Sequence, residues 1–159
     1  MAEALPLLES AVKADEAMGL MTGQPLLITW LSEGYLRVHR LQEAVALAGH
    51  ALDLSRACQE RGNEAYALRL LGDIAAHGDP LEVEQAEASY QHALALAEEL
   101  GMRPLGAHCH FGLGTLYAKI SRHDEAYAEL QTAIELYRAM DMTFWLPGAE
   151  ATLAQVEGR

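Results

Sequence analysis

The sequence predicts an all-α fold, a right-handed α-solenoid of about eight helices that pair as antiparallel hairpins. Three observations predict it. Alanines recur every 40 to 42 residues, helix-forming residues dominate the composition, and glycines and prolines fall between the periodic segments. A period of this length is typical of repeat architectures. We therefore expect a single helical array over residues 1–159.

The alanines form two sets that keep the same spacing in each repeat. The first set is Ala4, Ala44, Ala86 and Ala126, and the second is Ala11, Ala51, Ala93 and Ala133. Between them lie Leu8, Ala48, Tyr90 and Leu130. Positions spaced by four and then three residues share one face of an α-helix. The pattern predicts four equivalent helices whose small residues let neighbours approach closely, which suits a protein that holds other proteins.

Eight helices are predicted in order along the chain. They span 3–18, 24–38, 41–60, 64–77, 81–100, 104–119, 123–140 and 144–157. Pro25, Pro104 and Asp79-Pro80 suit helix starts, because a proline at the first helical position loses no hydrogen bond. The predicted units are the second helix of a truncated repeat at 1–22, three repeats at 23–62, 63–102 and 103–141, and a terminal helix at 142–159.

The predicted helix ends depend on a few turn residues. Gly19, Gly62 and Gly101 suit the left-handed position that follows a helix. Asn63 and Ser121 suit the cap of the helix that comes next, because their side chains can accept a backbone hydrogen bond. Every connection is predicted to be short, as helix hairpins require.

The helices between the alanine-marked ones carry a second signature. It reads Leu31-Ser32 with Tyr35, then Leu71-Gly72, then Leu113-Gly114 with Tyr117. Together with the alanines, these residues resemble the tetratricopeptide repeat, whose pattern is Leu-Gly and Tyr on one helix and Ala, a large residue and Ala on the next. The period here is longer than that family's 34 residues, and the family's early tryptophan is missing. Segments 70–76, 85–87 and 95–105 are similar to C-terminal arrays of large bacterial regulators that contain a cyclase or ATPase domain.

The resemblance implies a concave groove lined by the Leu-Gly helices. The groove positions it assigns are Trp30, Glu33, Arg37, Tyr66, Arg69, Asp73, His108, Phe111 and Lys119. Aromatic residues and arginine are common interface anchors, although Trp30 and Phe111 can equally fill the core between helices. The Lys and Asn clamp of the family's chaperone-binding members is absent, so we expect no binding to such chaperone tails.

Composition excludes several other functions. The formal net charge is −12, which disfavours nucleic acids and anionic membranes as partners. No apolar run reaches the length that spans a bilayer. Two cysteines without a disulfide framework, and acidic residues near the start where a signal peptide would be basic, favour the cytoplasm.

No catalytic, cofactor or metal site is predicted. His108 and His110 would point about 200° apart on a helix, so they cannot hold one metal from one face. Gly112 and Gly114 lack the preceding strand of a dinucleotide loop. The favoured function is a protein-interaction scaffold in a bacterial signalling or transcriptional regulator. Two alternatives stay open: self-assembly into a homo-oligomer through uncapped solenoid ends, and small-ligand sensing.

Overall fold

The computed structural model of the chain describes residues 4–19 and 23–158. Residues 1–3, 20–22 and 159, which belong to the predicted first and terminal units, lie outside the described part. Eight helices make up the described chain: α1 (Ala4–Met18), α2 (Gln24–Arg37), α3 (Leu41–Ala57), α4 (Arg61–Ala75), α5 (Val83–Glu99), α6 (Arg103–Lys119), α7 (His123–Ala139) and α8 (Leu146–Glu157). No strand occurs among these residues. The predicted all-α helical repeat is confirmed.

The helices form two layers. Each helix packs against the next one along the chain, and α2, α4, α6 and α8 also contact one another in sequence. No two of α1, α3, α5 and α7 are in contact within the described residues. Because the even-numbered helices lie closer together than the odd-numbered ones, the stack curves with the even-numbered layer on the inner, concave side.

The core lies between the two layers and contains the predicted alanines of α3, α5 and α7. Those alanines are fully buried: Ala44, Ala51, Ala86, Ala93, Ala126 and Ala133. Helix α1 is different, because Ala4 is exposed and Ala11 is half-buried, while Leu5 and Val12 are its buried residues. Helix α1 contacts only α2, whereas each of the other odd-numbered helices packs between two even-numbered ones. The prediction of four equivalent helices is therefore wrong for α1.

The helix ends correct part of the sequence prediction. Gly19 and Gly101 adopt the predicted left-handed conformation, with φ of 66° and 68°. Gly62 does not, because α3 ends earlier and Gln59 takes the left-handed position with φ of 56°. The backbone N–H of Glu60 then donates to the carbonyl of Ser55 at 2.8 Å, which closes the same turn that a glycine usually makes.

At the helix starts, the predictions from prolines agree with the structure better than the predictions from capping residues. Pro25 and Pro104 lie in the first turns of α2 and α6, as predicted. Asp79-Pro80 belongs to the turn before α5, which begins at Val83. The predicted caps are wrong, because Asn63 lies inside α4 and Ser121 adopts a left-handed turn conformation before α7. No side-chain cap hydrogen bond is present at the starts of α2 through α8.

Candidate binding groove

The centre of the concave side holds a charged cluster from α2, α4 and α5. Arg69 pairs with the carboxylate of Asp73 one turn later and lies 3.5 Å from Glu33 Oε2 on the neighbouring helix. Glu33 also accepts from Arg37 at 2.6 Å. Tyr90 donates its hydroxyl to Asp73 Oδ1 at 2.6 Å. Four of the predicted groove residues are thus in one connected network, with two positive and two negative charges.

The charged cluster is held in place from the outer layer by Tyr90. A Cβ at Gly72 would come within 2.8 Å of the Tyr90 ring, and a Cβ at Gly112 within 2.5 Å. The ring therefore passes through a slot between α4 and α6 that only glycine on both sides leaves open. Desolvation by burial, followed by the charge of Asp73, strongly raises the pKa of Tyr90, so its hydroxyl stays a donor to that carboxylate.

Sequence reasoning missed this role for Tyr90 and Gly112. The alanine spacing placed Tyr90 between two marker alanines on the packed face of its helix, and Gly112 was considered as part of a dinucleotide loop. The only available signal was the coincidence of one large residue with a glycine on each of the two helices that flank it.

An apolar cavity of about 220 Å³ lies at the α1 end of the concave side. Leu5 and Leu8 of α1 form one wall, and Trp30, Glu33 and Arg37 of α2 form the other. Trp30 is 52% exposed although it is a large aromatic side chain. Three predicted groove residues are therefore gathered around one cavity, whose apolar walls are edged by the ion pair between Glu33 and Arg37.

Aromatic rings cluster at the other end of the groove. The His108 ring lies 4.7 Å from that of Trp145, and Phe111 lies 6.5 Å from the Tyr137 ring. His108 Nδ1 is 2.8 Å from the hydroxyl of Tyr137. Burial, with a smaller contribution from the charge of Arg69, lowers the pKa of His108 to about 4. The imidazole is therefore neutral near pH 7 and serves as part of an aromatic surface.

Two predicted groove residues stand apart from these groups. Tyr66 packs against the core cluster that contains Leu68 and Leu105. Lys119 lies at the C-terminal end of α6, where its ammonium donates to the carbonyl of Ala76 at 2.8 Å. Phe111 is also half-buried against the core, so its ring is shared between groove and core.

The segment from His108 to His110 does not form a joint site. Cys109 is fully buried, and burial raises the pKa of its thiol to about 12. His110 Nδ1 lies 2.6 Å from Glu129 Oε2 on α7, on a different side of the helix from His108. No group of three possible metal ligands is found among the described residues.

The part of the chain that contains α5, α6 and α7 is similar to a known protein family. Residues 81–139 match the tetratricopeptide repeat family model. Tetratricopeptide repeats generally mediate binding between proteins and are not catalytic. No curated protein matches the chain.

The helix crossing inside the matched segment differs from the crossing of α2 and α3 outside it. In the matched segment, Gly114 of α6 crosses Leu130 of α7, and a Cβ at that glycine would lie 2.6 Å from Leu130 Cγ. Helices α2 and α3 cross through Ser32, whose hydroxyl donates to the carbonyl of Ala44 at 2.7 Å. No described helix is long and apolar enough to cross a bilayer.

Proposed function

We propose that this chain is a protein-interaction module of a bacterial signalling or transcriptional regulator, and that its concave side binds a segment of a partner protein. The observation that carries the proposal is the α1–α2 cavity. It joins a half-exposed Trp30 to apolar walls and to the ion pair of Glu33 and Arg37. Apolar pockets with a polar edge around a tryptophan are typical anchors of protein interfaces.

The charged cluster supports an extended or helical segment as the occupant. The side chains of Glu33 and Asp73 are 28% and 21% exposed, while that of Arg69 is 16% exposed. A segment lying along the groove can donate its polar groups to these oxygens while an apolar side chain enters the Trp30 cavity. Arg69 then holds the two carboxylates in position more than it contacts the partner directly.

The bacterial regulator and the cytoplasm are supported by the sequence. Segments 70–76, 85–87 and 95–105 are similar to arrays of that class of regulator. Cys58 and Cys109 are free thiols, as is common in a reducing compartment. The acidic charge favours basic or neutral partners over nucleic acid.

Self-assembly through the solenoid ends is less well supported. Ala154 of α8 occupies the position that Gly114 has on α6, and it is exposed. Leu8 of a second copy would face it, as Leu130 faces Gly114. Since even a Cβ at Gly114 would overlap Leu130, an alanine opposite a leucine does not reproduce the internal contact.

The test is selection of short random peptides by display on the folded chain. Peptides enriched on the wild type should share an apolar anchor, and Trp30→Ala should weaken them at least about tenfold, as expected for an interface hot spot. Tyr127→Ala is the matched control, because Tyr127 is a 42% exposed aromatic residue on the outer layer.

Two results would contradict the proposal that the groove binds a partner segment at Trp30. One is enrichment of peptides that bind Trp30→Ala as tightly as the wild type. The other is a selection in which no sequence is enriched on the wild type over Trp30→Ala. Circular dichroism of each variant confirms that the helices are intact.

A further inference from the structure

A second cavity lies at the opposite end of the concave side, between α6 and α8. Its volume is about 320 Å³, and it is lined by Thr115, Ala118, Lys119, His123, Thr152, Gln155 and Val156. This size is at the lower end of the range for small-molecule sites. The two walls come from neighbouring even-numbered helices, and His123 at the start of α7 closes one side.

The charge of this cavity is opposite to that of the chain. The sequence has 23 acidic residues and a net charge of −12, yet none of the seven lining residues is acidic. Lys119 is one of only two lysines in the sequence. Its ammonium has three donors, and the described structure shows one hydrogen bond from it, to the carbonyl of Ala76. Donor capacity therefore remains for an anionic group.

The two threonines supply the complementary polarity. Thr115 donates its hydroxyl to the carbonyl of Phe111 at 2.8 Å, and Thr152 donates to that of Gly148 at 3.0 Å. A hydroxyl whose hydrogen is used in this way presents only lone pairs to a further partner. Both oxygens can therefore accept hydrogen bonds from the hydroxyls of a ligand, one from each wall.

His123 and Gln155 add adaptable polar groups. His123 Nδ1 is buried and has no hydrogen-bond partner among the described residues. Buried polar atoms are normally paired, so an unpaired one is unusual. Because no described protein group bonds this nitrogen, the ring is free to turn toward a ligand. The amide of Gln155 can donate or accept.

We propose that this cavity binds a small hydroxylated anion. Lys119 binds its phosphate or carboxylate group, and the hydroxyl oxygens of Thr115 and Thr152 accept hydrogen bonds from its hydroxyls. The site is separate from the Trp30 cavity, so it would give the module a ligand-dependent element in addition to its binding of a protein segment.

The experiment is calorimetric titration of the chain with three probes at physiological ionic strength. Glycerol 3-phosphate has both the charge and the hydroxyls, inorganic phosphate has the charge alone, and glycerol has hydroxyls alone. We expect glycerol 3-phosphate to bind most tightly and glycerol not to bind at about 10 mM, a concentration that detects millimolar affinity.

Variants assign the binding to this cavity. Lys119→Gln keeps a polar N–H donor but removes the charge, and it should weaken the binding of glycerol 3-phosphate at least about tenfold. Lys13→Gln, at the other lysine on the exposed surface of α1, is the matched control and should leave binding unchanged. Thr152→Val should reduce the advantage of glycerol 3-phosphate over inorganic phosphate.

Three outcomes overturn this proposal: no binding of glycerol 3-phosphate at about 10 mM, equal binding of it and inorganic phosphate, or equal binding by the wild type and Lys119→Gln. Trp30→Ala should leave the titration unchanged. The two sites can therefore fail independently, since each has its own probe and its own disruptive variant.

Discussion

The crossings around Ala48 and around Tyr90 differ in which layer supplies the large side chain that fills the space between the helices. At the first, Ala48 of α3 is a small residue that lies in one core cluster with Leu70 of α4, and Ser32 of α2 reaches the carbonyl of Ala44 one turn before it. All of these residues are fully buried. The small residue thus comes from the outer layer, and the inner layer supplies the side chains that fill the space.

At the second crossing the volumes are exchanged. Tyr90 comes from the outer layer, and the corresponding inner-layer positions are Gly72 and Gly112. The third crossing, Leu130 against Gly114, follows the same rule with one large residue and one glycine. At each crossing a large side chain is therefore matched by a small residue on a facing helix, since interiors are close-packed. The identity of the residue at any one position is free to change.

The exchange has a consequence for the groove. A tyrosine passing between α4 and α6 brings a hydroxyl to the concave side, where it meets Asp73. An alanine at Ala48 brings no such group. The charged cluster at the centre of the groove thus depends on a side chain from the outer layer at one crossing only.

The largest expected effect is that of removing the ring from the second crossing. Tyr90→Ala should lower the free energy of unfolding by about 3–5 kcal/mol, because it leaves a cavity between two glycines. Urea denaturation followed by circular dichroism measures the loss. Tyr127→Ala on the outer surface should change stability by less than about 0.5 kcal/mol, and a comparable loss in both variants would contradict the role given to Tyr90.

A pair of glycine substitutions tests the slot itself. Gly112→Ala should destabilise the chain by about 1–3 kcal/mol, because its Cβ would overlap the Tyr90 ring. Gly49→Ala in the interior of α3 should instead stabilise it by up to about 1 kcal/mol, because a Cβ there has open space and alanine favours the helix. The loss at Gly112 should largely disappear in a Tyr90→Leu background. If both substitutions changed the free energy of unfolding in the same direction, the proposed close fit of the Tyr90 ring against Gly112 would be wrong.

The aromatic end of the groove around His108 should also respond to pH in a way that the Ala48 crossing does not. His108 has a pKa of about 4 in the folded chain against an ordinary value of 6.5. The unfolded chain therefore binds this proton more readily, and the contribution to stability is complete above pH 6.5 and is lost as the pH falls toward 4. We expect a loss of about 1–2 kcal/mol over this range, since each pKa unit corresponds to about 1.4 kcal/mol and the ring is partly exposed.

The measurement is the difference between the wild type and His108→Gln in urea denaturation at several pH values. That difference cancels the titration of carboxylates elsewhere. A wild-type curve parallel to that of His108→Gln between pH 4 and 6.5 would show that His108 is protonated equally in both states.

The smallest effect is expected at Ser32. Ser32→Ala removes the hydrogen bond to the carbonyl of Ala44 but keeps the Cβ, so stability should fall by only about 0.5–1.5 kcal/mol. Ser32→Gly should cost about 1 kcal/mol more, because glycine is unfavourable inside a helix. If Ser32→Gly were more stable than Ser32→Ala, then a Cβ would be crowded at the first crossing, as it is at the second.

The amino-acid sequence alone was enough to predict the helices and the burial of most of the marker alanines. Helical periodicity is local, so Ala44, Ala86 and Ala126 could be placed on buried faces from spacing alone. The sequence did not show that His39, Gln59, Ser121 and Asp141 take the left-handed turn that glycine usually provides, although only the end of α3 lies as far as three residues from its predicted position. Residues other than glycine can take this conformation, so the spacing of glycines alone does not locate these turns.

The groove depended on tertiary structure in a different way. Glu33, Arg69 and Asp73 were predicted one by one as groove positions, but only the packing of α2 on α4 decided that they share one network. Whether a side chain such as Trp30 stays exposed or fills the core depends on the distance between neighbouring helices. That distance is set by pairs of residues far apart in the sequence, as Tyr90 and Gly112 show, so no local pattern can specify it.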